Sequence, residues 1–336
     1  MDREVAAAIG RAHHGSSGVP ELLDFSANVN PTTPPGVEAV FTDAFAKCKT
    51  YPPEPPLAFN QHAAASVGCA PEHIIPTPGA MAAIRLAIGL FVERGDSVLI
   101  PSPSFSEYER EVRLHGGVAH TIDAEGMTKA DPAGHSLAIV CNPNNPTGTL
   151  YSRKALRKFA ERCRAVGTTL LIDEAFLDFT DQPSLAGKPG VIVARSLTKM
   201  FGLPGLRMGF AVATVNDRKA MEGARPPWNI SMPARLVGQY CLKQHSFVEE
   251  TKNRVRTERH RLEQALSKHF DIHPSEAPFL LLQVGDESVE TFVTHARERG
   301  IELRDATTFR GLDAHLRVAV RLPKENTKLI RVLTDV

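Results

Sequence analysis

Lys199 stands in the segment Arg195-Ser196-Leu197-Thr198-Lys199-Met200, behind an apolar run and two hydroxyl residues, and Arg207 follows eight residues on. A lysine amine attacks carbonyl groups once it is uncharged, and two hydroxyls with a guanidinium make a donor set for a phosphate. One lysine for a Schiff base and several phosphate donors are what a pyridoxal 5′-phosphate (PLP) site requires. The competing reading is a polar turn ahead of a strand. A second segment, Leu170-Leu171-Ile172-Asp173-Glu174, ends an apolar run in a carboxylate. A carboxylate there is costly without a partner, and a protonated pyridine nitrogen is such a partner. Opposite charges about 4 Å apart attract by about 4 kcal/mol at an effective dielectric near 20, which keeps the ring cationic and able to take up electrons. A helix N-cap is the alternative for Asp173; Glu174 is expected to be structural.

Three further segments fit the same chemistry. In Cys141-Asn142-Pro143-Asn144-Asn145-Pro146-Thr147-Gly148 a rigid turn presents amides, and Asn145 can donate to the cofactor's phenolate oxygen. In Pro78-Gly79-Ala80-Met81 a glycine opens a helix and bares the backbone N–H groups of Gly79, Ala80 and Met81 to a phosphate. In Pro103-Ser104-Phe105-Ser106-Glu107-Tyr108 an aromatic ring can stack on the pyridine; Phe105 is the first choice and Tyr108 the reserve, with a core aromatic as the alternative.

These segments need elements to hold them. From residue 70 onward helical stretches alternate with apolar runs: a helix over 79–93, strands at 97–101, 118–122, 137–141, 168–172 and 191–194, and helices over 105–114 and 153–166. That alternation predicts a mainly parallel sheet covered on both faces. Ligands of such sheets sit beyond the carboxyl ends of the strands, and every candidate above falls just after a strand or at a strand-to-helix junction. The pattern then changes to one long helical region over 233–269, followed by strand, helix, strand, strand and helix at 279–284, 288–299, 301–304, 315–321 and 325–333. The expected organisation is an irregular arm over 1–35, a large PLP-binding domain over 36–230, and a connecting helix with a small α+β domain over 231–336.

Composition excludes several classes. Thirty-nine basic residues against 38 acidic ones leave a net charge of +1, so no basic field for nucleic acid exists; the basic run 252–261 reads as a solvated helix face. Five cysteines without a CxxC pair argue for reduced thiols, a cytoplasmic address, and neither a disulfide framework nor a metal site. The start, MDREVAAAIG, does not read as a signal peptide, and no apolar run approaches the roughly 18 residues a membrane span needs.

The five segments in this order resemble the fold-type I PLP enzymes, with the aspartate-aminotransferase fold, over residues 20 to 330. That resemblance implies a large domain with a mainly parallel, seven-stranded-type sheet between helices and a small C-terminal α+β domain. Within it the chain looks like the histidinol-phosphate aminotransferase branch, and most like the L-threonine-O-3-phosphate decarboxylase family of cobalamin biosynthesis. The residues that carry this are Asp24-Phe25-Ser26-Ala27-Asn28-Val29-Asn30-Pro31, His14-Gly15, Phe176 where aminotransferases usually have tyrosine, Pro227-Trp228-Asn229-Ile230, Leu303-Arg304-Asp305, Gly311-Leu312-Asp313 and Leu316-Arg317-Val318-Ala319-Val320-Arg321. The arm departs from the family: His13-His14-Gly15-Ser16-Ser17 stands where HGG followed by Asn is usual.

The resemblance implies roles. Lys199 would carry the cofactor and handle protons at Cα, Asp173 pair with the ring nitrogen and Asn145 with the phenolate. Gly79, Ala80, Ser196, Thr198 and Arg207 would hold the cofactor phosphate, with Tyr51 reaching the phosphate of a neighbouring subunit in a homodimer with shared sites. His14, Gly15, Asn28, Asn145, Arg304 and Arg317 would bind a phosphorylated amino acid; surface strand charge is the other reading of the two arginines. The implied reaction is decarboxylation of L-threonine O-3-phosphate to (R)-1-amino-2-propanol O-phosphate. The alternative is transamination of a phosphorylated amino compound, since whichever Cα bond stands perpendicular to the ring is the one that breaks. A binding protein that kept the fold without the cofactor would be expected to lack Lys199 or Asp173.

Overall fold

The computed structural model describes residues 3–10, 14–16 and 18–336, so His13 and Ser17 of the arm motif lie outside the described residues. After the short strand β1 (Leu23–Asp24), the apolar runs form β2 (Ile74–Thr77), β3 (Ser97–Ser102), β4 (Val118–Asp123), β5 (Leu137–Cys141), β6 (Thr169–Asp173), β7 (Val191–Ser196) and β8 (Gly209–Val212). These seven build one sheet in the order β2-β8-β7-β6-β5-β3-β4. All of its pairings are parallel except those of β8, which runs antiparallel to both neighbours. Every residue of β5 and β7 is buried, as unbroken apolar strands in the middle of a covered sheet must be. The helix Ala80–Phe91 buries Ala83, Ile84, Ala87 and Ile88, spaced by three and four so that one stripe meets the core.

The C-terminal unit holds β9 (Asp271–Ile272), β10 (Phe279–Gln283), β11 (Ile301–Glu302), β12 (Arg304–Asp305) and β13 (His315–Ala319). An antiparallel sheet runs β12-β13-β10-β9, and β11 instead pairs with β1 of the arm. The arm is therefore stitched to the small unit. It also reaches the large one, where Asn30 N donates to Lys199 O at 3.0 Å and Asn30 Nδ2 to Met200 O at 2.8 Å.

Four expectations are corrected. The arm is not wholly irregular, because Arg3–Ile9 is helical, in keeping with its alanines. The helical region over 233–269 is two helices, Met232–Cys241 and His245–Leu266; the chain turns at 242–244, where Lys243 N and Gln244 N donate to Tyr240 O and Cys241 O. The strand over 301–304 is two strands in different sheets. The basic run is not simply a solvated face: Lys252 and Arg259 are buried, paired with Asp181 at 2.6 Å and Glu276 at 2.8 Å. Among the described residues no helix is long and apolar enough to cross a membrane, and all five cysteines are free thiols.

Candidate active site

The sheet's polarity decides where the candidates meet. Asp173 ends β6, Ser196 ends β7, and Asn145 and Phe105 follow β5 and β3, so all fall at one edge. Arg207 joins them because β8 is antiparallel: its first residue, Gly209, pairs with both Ser196 and Thr77, the last residues of their strands. A cavity of about 630 Å³ opens there. Its lining includes Lys199, Asp173, Asn145, Gly79, Ala80, Met81, Phe105, Ser196, Thr198 and Arg207, together with His14, Gly15, Asn28, Arg304 and Arg317.

Asp173 is buried and has two donors. Its Oδ2 accepts from the Tyr108 hydroxyl at 2.7 Å and its Oδ1 from Ala175 N at 2.9 Å. Burial pushes its carboxyl up, against the effect of those two hydrogen bonds. Tyr108 is fully buried beneath Phe105, edge-on to it at 5.5 Å; of the two aromatic candidates it is the one that holds the aspartate. Glu174 points elsewhere, accepting from Ser184 Oγ, Leu185 N and Arg195 Nη1 at 2.6, 3.1 and 3.0 Å.

Lys199 sits in the short helix Leu197–Met200, capped by Ser196 Oγ, which accepts from Thr198 N and lies 2.8 Å from Thr198 Oγ1. Burial, then the charges of Arg317 and Arg207, bring the Lys199 amine down to about 8, while Asp173 and Asp24 pull the other way. An amine reacts with carbonyls as the free base, so uptake of pyridoxal by the cofactor-stripped protein is expected to rise with pH through a midpoint of about 8. A midpoint near the ordinary lysine value, followed by absorbance, would contradict this environment.

Gly79, at φ +85, caps the helix Ala80–Phe91, and a Cβ there would meet Arg207 Nη2 at 2.8 Å. Only glycine lets the guanidinium lie against that helix start. The cradle of Gly79, Ser196, Thr198 and Arg207 thus has the donors and the space for a phosphate, and Asp173 has the burial that a ring-nitrogen cation would relieve. On both counts the residues fit PLP.

On the opposite wall Arg304 and Arg317 are direct partners across the β12–β13 ladder, both buried. Arg317 donates to Asn145 Oδ1 at 2.5 Å and to Ser26 O at 2.7 Å. Burial and the neighbouring Arg304 bring Arg317 down to about 9, with Asp24 opposing. Arg304 donates to Thr308 Oγ1 at 2.7 Å. Asn28 Oδ1 and Arg317 Nε are buried without a hydrogen-bond partner among the described residues. The arm closes one side of the cavity: His14 Nε2 lies 3.0 Å from Glu107 Oε1, and a Cβ on Gly15 would meet Ser26 O at 2.3 Å. The His14 hydrogen bond, aided by Arg110, holds the Glu107 carboxyl below its usual range against burial.

Tyr51 is not among these residues. It is exposed, stacked on Trp228 at 4.5 Å, and outside the cavity of its own chain. Sequence reasoning missed Glu107, the bond from Tyr108 to Asp173, and Phe309, which lines the cavity beside both arginines. The available signal was a lone aromatic between two arginine-bearing strands.

The chain belongs to the aminotransferase class I and II family, which it matches over residues 20–333, and the cofactor of the fold-type I enzymes in it is PLP. Among curated relatives it is 31% identical to threonine-phosphate decarboxylase from Salmonella typhimurium, covering 94% of this chain and 91% of the relative. It is 30% identical to histidinol-phosphate aminotransferase 2 from Carboxydothermus hydrogenoformans, covering 89% and 86%. The crystal structure of histidinol-phosphate aminotransferase from Clostridium acetobutylicum superposes with a TM-score of 0.85 at 28% identity, covering 94% and 98%.

Proposed function

We propose that the chain is a PLP-dependent decarboxylase of L-threonine O-3-phosphate, forming (R)-1-amino-2-propanol O-phosphate for cobalamin biosynthesis. The observation that carries this is the buried pair Arg304 and Arg317, placed directly opposite each other. Like charges facing across a ladder are destabilising, and burial makes it worse. A ligand with two anionic groups reverses that cost. Threonine phosphate joins a carboxylate and a phosphate in one molecule; histidinol phosphate has only the phosphate, although its amino acceptor 2-oxoglutarate carries two carboxylates, so the reaction assay is what separates the two. The relative named threonine-phosphate decarboxylase agrees.

In this reading PLP supplies an electron sink for the bond broken at Cα, and the chain's residues do the rest. The Lys199 amine, brought down to about 8 and so within reach of its free base just above neutral pH, holds the cofactor and returns a proton to Cα. Asp173, fixed by Tyr108, supplies the negative charge for the ring nitrogen. Because Arg317 occupies Asn145 Oδ1, the Nδ2 end of that amide is left to donate to the phenolate oxygen. Gly79, Ala80, Met81, Ser196, Thr198 and Arg207 bind the phosphate, and Phe105 covers one ring face. His14, Gly15, Asn28, Arg304 and Arg317 grip the substrate and exclude water. Tyr51 serves the site of a second copy in a homodimer, consistent with its exposure and its stacking on the exposed Trp228.

Incubation with L-threonine phosphate, without any keto acid, is expected to release CO2. Amino-group transfer from histidinol phosphate to 2-oxoglutarate with no CO2 from threonine phosphate would replace this reading with an aminotransferase, as the relatives of that name suggest. Arg317→Ala is expected to raise KM for the substrate by about 10²-fold, the scale of losing one buried charge-assisted pair, with cofactor retained. Loss of PLP instead would remove Arg317 from substrate binding.

A further inference from the structure

Hydrogen bonds hold the two buried guanidiniums separately, Arg317 on Asn145 and Ser26 and Arg304 on Thr308; what the facing pair shares is a ring. Each lies over the same ring. Arg304 Cζ is 5.3 Å and Arg317 Cζ 5.8 Å from the centroid of Phe309, and the ring is itself buried. An aromatic face attracts a cation through its quadrupole, more strongly when water is excluded. Arg317 has a second ring, Phe279, at 5.5 Å, but Phe309 touches both charges. Its position is set by the turn that follows β12, where Phe309 N donates to Ala306 O at 3.0 Å, and the preceding Thr308 takes the Arg304 hydrogen bond.

We infer that Phe309 is a positioning residue that holds Arg304 and Arg317 together as one receptor for two anionic groups, and so selects substrates carrying both. This rests on the reading of the two arginines as the substrate's anion site. Phe309 also lines a second cavity of about 350 Å³ with Ser102, Thr121 and Thr307, as Phe105 and Ser106 do. Tyrosine keeps the aromatic face that both guanidiniums lie over, whereas leucine keeps an apolar side chain and loses the π face.

The test uses the cofactor-loaded protein and its Phe309→Leu and Phe309→Tyr variants, titrated with O-phospho-L-threonine and, in parallel, with inorganic phosphate, binding being followed by cofactor absorbance. Leucine is expected to weaken O-phospho-L-threonine by about tenfold, the low end for two cation–π contacts, and inorganic phosphate by clearly less, while tyrosine keeps both near the parent. In the stripped proteins, pyridoxal uptake by the leucine variant is expected to move to a higher pH midpoint, because Arg317 no longer presses on Lys199. Unchanged affinity and an unchanged midpoint in Phe309→Leu would overturn the inference. Neither measurement scores CO2, so a protein that transaminates instead would refute the proposed reaction while leaving this test intact.

Discussion

Lys199→Ala is expected to bring turnover below detection while the melting temperature of the cofactor-free protein stays within a few degrees of the parent. The loss of activity follows from the removal of the lysine amine that, among the described residues, alone lines the cavity beside Asp173. The modest effect on stability follows from two opposing terms. The amine is held near 8 in the folded chain against an ordinary value of 10.5, so below pH 8 the fold carries a desolvated charge it would rather lose. At about 1.4 kcal/mol per pH unit that strain is at most about 3.5 kcal/mol, and it fades as pH rises from about 8 to 10.5. Removing the side chain relieves it but forfeits the buried methylenes, at about 0.8 kcal/mol each. A steady-state assay with the covalent cofactor absorbance checks the first consequence and a thermal melt the second. A variant with native turnover, or one that does not fold, would count against the assignment.

Asp173→Asn is expected to lower turnover by about 10²- to 10³-fold, the equivalent of the roughly 4 kcal/mol by which a carboxylate stabilises a cation beside it. Asparagine keeps the shape and can still accept from Tyr108, but it cannot supply charge. Its amide also meets Ala175 N, which now donates to Asp173 Oδ1. Stability should change little, because the parent carboxyl is already pushed up by burial. Tyr108→Phe is the graded version: it leaves the carboxylate but removes a donor at 2.7 Å, so turnover should fall less and the acid limb of the pH–rate profile should move to higher pH. A near-native rate in Asp173→Asn would separate Asp173 from the ring nitrogen.

Some of this site was legible because its residues sit where elements end. Lys199, Asp173, Asn145, Phe105 and Gly79 each follow an apolar run, and in a covered parallel sheet such runs all finish at the same edge, which places them together before any coordinate is known. Arg207 needed more. It precedes its strand, and only the reversed direction of β8 carries it to that edge. The same limit hid the turn at 242–244, which contains neither glycine nor proline, and the split of 301–304 between two sheets.

By itself the amino-acid sequence determined the alternation of apolar runs and helices, the edge where a ligand must lie, and the chemical character of Lys199 and Asp173. These follow from local periodicity and from the cost of a charge at the end of a buried strand. Tertiary structure decided everything that depends on register between distant segments: that Arg304 faces Arg317, that Phe309 lies under both, that Tyr108 reaches Asp173, and that the arm braces the Lys199 turn through Asn30. Antiparallel register is set by the turn between strands and by packing across it. No pattern along the chain encodes which of several arginines will be neighbours, because that choice is made only when the two strands close on one another.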